Sequence, residues 1–216
     1  MKSMLLAALL ICSTSFGADL ELQQYGKMRE VLRDGKTEAR VIPTDVCSQY
    51  SWGVGALAGL EGEITIVDGK VLVASGSMEL REATSEDSAT MCYFFNVQHW
   101  ESIAIDKDIP ANEIDSYLSD KNISDIFPFR VEGRFSNLDF HVITGSCPIN
   151  GGEPLRDSVE NVDGQLIGIF ASDAAGVITH HGSKTHMHVV TDEKQPRSGH
   201  VDAVTIKKGS LIYFPK

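Results

Sequence analysis

Three of the seven histidines fall in two short clusters, His186-Met-His188 and Ser-Gly-His200, with a spacing suited to holding a metal ion. Residues two apart on a β-strand share a face, so His186 and His188 point the same way. The segment from Thr191 to Ser198 turns the chain back, and a register that sets His188 opposite His200 brings the third imidazole within about 5 Å. Three neutral imidazoles suit zinc and leave a tetrahedral ion one position for water or substrate, the pattern of catalytic rather than structural zinc sites. The same spacing also fits a chance His-x-His, or a loose surface tract of His180, His181, His186 and His188. Upstream, Glu63 shares a strand face with Thr65 and Val67. It is either an acid–base group or an exposed carboxylate at a strand edge.

These groups need strands to hold them. Glu63 to Val67, then Asp68-Gly69, then Lys70 to Ala74 is a two-residue hairpin signature flanked by β-branched residues. Cys92 to Val97 and Phe127 to Phe135 read as further strands, and the last third adds Gln165 to Phe170, His186 to Val190, Val201 to Ile206 and Ser210 to Phe214. Helical spacing predicts a helix over Gln23 to Leu32, stopped by Asp34-Gly35, and another over Ala111 to Lys121, introduced by Pro110. The expected fold is strand-rich α+β. Alternating βαβ order, a Gly-rich phosphate loop and a G-x-S-x-G elbow are all missing from the sequence, which argues against a Rossmann domain and an α/β-hydrolase.

A chain of 216 residues, 42% apolar and 23% charged, makes one large domain or two small, closely packed ones. Its net charge of −11, without a Lys/Arg cluster, repels phosphate backbones and excludes nucleic acid as a partner. Lys2, the apolar run Met4 to Cys12, and the small and polar residues through Gly17 have the layout of a secretory signal. Residues 1–17 are therefore expected to be removed, leaving a domain over 18–216 that is exported, periplasmic or secreted. The apolar run is too short for a membrane span. In an oxidising compartment Cys47, Cys92 and Cys147 allow at most one internal disulfide, of three possible pairings.

Several segments together resemble α-acetolactate decarboxylase: Gly53-Val-Gly-Ala-Leu-Ala-Gly-Leu-Glu-Gly-Glu63 running into Val67-Asp-Gly-Lys, Phe129-Arg-Val-Glu-Gly-Arg-Phe135, Gly164-Gln-Leu-Ile-Gly-Ile-Phe170, His186-Met-His188 and Ser198-Gly-His200-Val-Asp202. The resemblance implies zinc held by His186, His188 and His200, with Glu63 reaching the metal site. It further implies two closely packed sheet-based subdomains, the metal carried mainly by the C-terminal one, and a homodimer. The implied substrate is a small keto acid, 2-acetolactate, whose adjacent ketone and hydroxyl oxygens can chelate one zinc ion. Zinc acts as a Lewis acid while carbon dioxide leaves, Glu63 delivers a proton to give acetoin, and no organic cofactor is needed.

The chain also departs from that pattern. His141 stands where the family has an arginine suited to a substrate carboxylate, and is the second catalytic candidate. Gly55-Ala56-Leu57 replaces a Gly-Thr-Phe, and no counterpart of the family's second glutamate precedes Lys216. Glu193 lies in the turn between the ligand strands, where an acid is expected to be exposed. Arg130 and Arg134 alternate away from the Phe127, Phe129 and Phe135 face and are expected to face solvent. With these changes the reading admits a related 2-hydroxy-3-keto acid as substrate. It also admits a zinc-binding protein that has lost its chemistry, or a metal-assisted hydrolase using Glu63 as base.

Overall fold

The computed structural model describes residues 20–145 and 152–216. The expected leader and Cys147 lie outside them. The described chain forms two six-stranded antiparallel sheets and three short α-helices, the strand-rich α+β arrangement expected.

The first sheet has the order β1 (Gln23–Tyr25), β6 (Ala89–Asn96), β2 (Ser51–Leu57), β3 (Glu63–Val67), β4 (Lys70–Ala74) and β5 (Leu80–Glu82). The β3–β4 hairpin falls where Asp68-Gly69 put it, both residues having positive φ, +50° and +78°. The predicted N-terminal helix is shorter than the periodicity suggested. Gly26 turns the chain at φ +77°, β1 pairs with β6 before it, and only α1 (Met28–Leu32) after it is helical. A short second helix, α2, follows at Pro43–Val46.

The second sheet has the order β11 (Ser198–Ile206), β10 (Thr185–Thr191), β9 (Leu155–Ala171), β8 (Ile126–Val142), β12 (Leu211–Pro215) and β7 (Trp100–Ala104), and β11 also pairs with β8. Four strands thereby close on themselves. The closure is possible because β8 changes partner along its length: Glu132 pairs with Leu211 of β12, whereas Phe135 pairs with Ile206 of β11. Gly133, at φ +151°, lies between those pairings, and a Cβ there would meet Ser210 Oγ at 2.3 Å.

The closed strands wrap a core that includes Phe127, Phe129, Phe135, Phe140, Leu166 and Val189, against which α3 (Ala111–Ser119) packs Ile114 and Leu118 from one face. The outer face of β9 packs on β2 and β6 through Ile167, Ile169, Val54, Ala56, Tyr93 and Phe95. Both sides of β10 and of the Leu166–Ala171 end of β9 are therefore buried. That packing corrects the expectation for Arg130, which points away from the phenylalanines but toward the other sheet. Its side chain is 14% exposed, and its guanidinium lies 3.8 Å from the Tyr213 ring centroid and 4.8 Å from that of Trp52 while pairing with Glu132. Arg134 does reach solvent, bound to Asp163.

Candidate metal centre

In β10, Met187 and Val189 face the closed core, so alternation sends His186 and His188 toward the first sheet. The β10–β11 register pairs His188 with His200, the pairing that convergence requires. The row continues around the closed strands, with His200 opposite His141 of β8 on one side and His188 opposite Ile167 of β9 on the other. All three histidines are buried, His188 at 0% exposure, and their donor nitrogens lie within 4.8 Å of one another.

The hydrogen bonds behind the rings decide which nitrogens converge. His186 donates from Nδ1 to the Ile178 carbonyl at 2.9 Å, leaving the Nε2 lone pair for the centre. That carbonyl sits in a turn pinned by Met28 N donating to Val177 O and by the Tyr93 hydroxyl donating to the same atom, each at 2.9 Å. His188 Nδ1 lies 3.1 Å from Thr65 Oγ1, itself 3.0 Å from Ser198 Oγ. Donation along this chain, from imidazole to threonine to serine, is the direction that again turns the Nε2 lone pair inward. His188 Nε2 is buried with no hydrogen-bond partner, a costly arrangement unless a cation completes it.

Burial also keeps these rings neutral. It pushes His186 down to about 3, and takes His188 and His200 well below the ordinary histidine range, with repulsion from neighbouring imidazoles adding to the shift. Neutral imidazole is the ligand form, and nitrogen donors without cysteine suit zinc among several first-row ions.

Glu63 begins β3 directly over this cluster. It is 5% exposed, and its Oε2 lies 3.6 Å from His188 Nε2. Burial pushes its carboxyl up to about 8, against an opposing hydrogen bond from the Ile143 backbone. This is not an exposed edge carboxylate. A small cavity joins Glu63, His141, His186 and His200, with Met28, Leu60, Met91 and Ile143 among its apolar walls. Ala56 also lines it.

His141 reaches the same cavity by a different route. Asp202 is the extra residue of a bulge in β11, between the pairs Val201–Phe140 and Ala203–Asp139. The bulge aims its carboxylate at His141 Nδ1, 2.8 Å away, and Arg156 donates to the same carboxylate at 2.8 Å. The His141 ring stands 5.0 Å from His200.

Sequence reasoning left three contributors unassigned: Thr65, Asp202 and His180. Thr65 was visible only as a residue on Glu63's strand face, and Asp202 only as part of a matching segment. The His180 ring lies 5.0 Å from His200 and 6.4 Å from His186. One side of His180 is open to solvent, yet the packed side is desolvated enough to lower its pKa. Glu193 is exposed, as expected, and is bound by Arg197 in its turn, 2.8 Å away, while His99 is exposed next to β7. Cys47 and Cys92 are free thiols. Among the described residues, no helix is long and apolar enough to cross a membrane.

Comparison with known proteins agrees with the architecture. The family model described as Alpha-acetolactate decarboxylase matches residues 22–214. The alpha-acetolactate decarboxylases of Lactococcus lactis subsp. lactis (strain IL1403) and subsp. cremoris (strain MG1363) are each 22% identical, over 88% of this chain and 82% of theirs. Among solved structures, the alpha-acetolactate decarboxylase of Bacillus subtilis strain 168 superposes with a TM-score of 0.74 at 17% identity, covering 90% of this chain and 85% of that one. A Staphylococcus aureus protein of unknown function, described as similar to alpha-acetolactate decarboxylase, gives 0.75 at 15% identity, with the same coverage of both chains.

Proposed function

The chain belongs to the alpha-acetolactate decarboxylase family, and from that premise we propose that it is a zinc-dependent carboxy-lyase acting on 2-acetolactate or a closely related 2-hydroxy-3-keto acid. The observation that carries the metal half of this reading is the inward-facing, unpartnered Nε2 of buried His188 between His186 and His200. Zinc held by these three histidines would supply Lewis-acid polarisation of the adjacent ketone and hydroxyl oxygens.

The remaining work falls to this chain's own side chains. Glu63, buried with Oε2 3.6 Å from His188 Nε2, is placed to deliver a proton to the carbon that carbon dioxide leaves. His141 presents Nε2 to the cavity, because Asp202 accepts the proton of Nδ1. From there its doubly protonated form would donate from Nε2 to the substrate's carboxylate, a weaker recognition than a guanidinium fork would give. The apolar walls exclude water, so the leaving carboxylate is poorly solvated and its loss is favoured.

Acetoin formation from racemic acetolactate by the zinc-loaded protein tests the reading, with a chelator and His188→Ala as controls. Chelator-sensitive acetoin that vanishes in the variant supports it. Zinc that is bound without acetoin from acetolactate, and without the corresponding hydroxy-ketone from homologues with a longer alkyl group, refutes the lyase reading and leaves a binding protein or hydrolase. We further propose export, on the layout of residues 1–17; N-terminal sequencing of protein from separated cell fractions tests this, and an intact Met1 in the cytoplasm would refute it.

A further inference from the structure

His180 belongs to none of the roles above, yet it stands at the mouth of the metal centre. With His200, it lines both the small cavity beneath the first sheet and the wider cleft between α3 and β11. Its ring nitrogens make no hydrogen bond among the described residues, and its ring lies against those of His186 and His200. A histidine held against two ligand imidazoles with both nitrogens free is a ligand in waiting.

Geometry distinguishes it from His141. With zinc–nitrogen bonds of about 2.0–2.1 Å and a tetrahedral angle, two ligating imidazoles place their ring centroids about 5 Å apart. The three buried histidines already approach this, at 4.9, 5.3 and 5.6 Å. His180 matches it toward His200, at 5.0 Å, and exceeds it toward His186, at 6.4 Å. A shift of an ångström or so, on the order of one side-chain adjustment, would bring His180 into the set. His141 also lies 5.0 Å from His200, but its ring makes no contact with His186 or His188, and Asp202 ties its Nδ1.

We propose that His180 is a fourth, displaceable ligand to the metal, so that the resting centre is closed by four imidazoles and opens when a chelating substrate displaces this one. The proposal rests on the zinc reading given above. The turn that carries His180 runs between Gly176 and Gly182, whose φ values are +74° and +89°. Ligation would fill the position through which bulk water or an unrelated anion reaches the ion, and would hold zinc more tightly than three ligands do. A bidentate hydroxy-keto group offers two donors in exchange for one, which favours displacement by such a substrate over a monodentate acid.

X-ray absorption on the zinc-loaded full chain counts the imidazoles around the ion, and competition with a chromophoric chelator gives the affinity. The wild type, His180→Ala, His141→Ala and His188→Ala are compared, with circular dichroism to show that each is folded. The expected result is four imidazoles in the wild type and in His141→Ala, and three in His180→Ala. Zinc affinity should fall about tenfold or more in His180→Ala, because a lost ligand should cost at least as much as a lost supporting hydrogen bond. Three imidazoles in both the wild type and His180→Ala, with zinc still lost in His188→Ala, would overturn this proposal and leave the three-histidine centre standing. A wild type that retains no zinc would overturn both.

Discussion

Replacing Thr65 by valine isolates what one hydroxyl does for the metal centre. Valine keeps the branched shape and removes two contacts, 3.1 Å to His188 Nδ1 and 3.0 Å to Ser198 Oγ, at a residue 1% exposed. The buried Nδ1–H is then left with the Ile64 backbone alone, and weakening a buried hydrogen bond costs up to about 1–3 kcal/mol. The ring's other tautomer, with the proton on Nε2, relieves that cost by turning the proton toward Glu63 Oε2, now 3.6 Å away. It also removes the lone pair that binds metal. Zinc affinity should therefore fall by about 10–100-fold, or about 1.4–2.7 kcal/mol. Thr65→Ser, which keeps the hydroxyl, should stay near the wild type. Chelator competition measures the affinities, and thermal melts with and without zinc should show a smaller zinc-induced gain in the valine variant. Affinity within about twofold of the wild type in a folded Thr65→Val protein would refute the argument that Thr65 selects the His188 tautomer.

Other consequences follow from the same site. Because burial holds the three histidines below the ordinary range, with His186 at about 3, protons compete poorly for the ligand nitrogens, and zinc should survive dialysis at pH 5.5; metal analysis checks this, and release there would contradict it. Glu63, raised from 4.5 to about 8, makes the metal-free protein lose stability as pH rises toward 8, by about 1.4 kcal/mol per pH unit at most. The loss should be read between pH 6.5 and 8, above the histidines' own range, and should flatten in Glu63→Gln, which is also expected to lose most turnover while keeping its zinc. Asp202→Asn should lower kcat about tenfold or more with metal content unchanged, since an amide no longer fixes the proton on His141 Nδ1. Arg130→Ala should cost about 1–2 kcal/mol of stability through lost stacking and a lost ion pair to Glu132, which keeps the Tyr213 hydroxyl, with no change in zinc affinity; reduced zinc binding would mean that Arg130 serves the centre after all.

The sequence by itself determined the features that depend on short-range periodicity. Alternation on one strand put His186 and His188 on one face, and Asp68-Gly69 set the β3–β4 hairpin. The eleven residues between His188 and His200 allowed the antiparallel pairing that the structure shows. Phe127 to Phe135 revealed a strand, though not that it continues to Val142 and changes partner near Gly133. Tertiary structure alone decided what each face meets, because alternation separates the two faces of a strand without saying which of them a second sheet covers. For that reason Arg130 was expected in solvent and lies among aromatic rings, while Glu63 could be read as an edge carboxylate and lies buried against His188. Two of the bonds that orient the imidazoles join residues far apart in the chain, Thr65 to His188 and His141 to Asp202, and one depends on a bulge. No local pattern encodes such bonds, since they exist only after two sheets have packed and a strand has slipped by one residue.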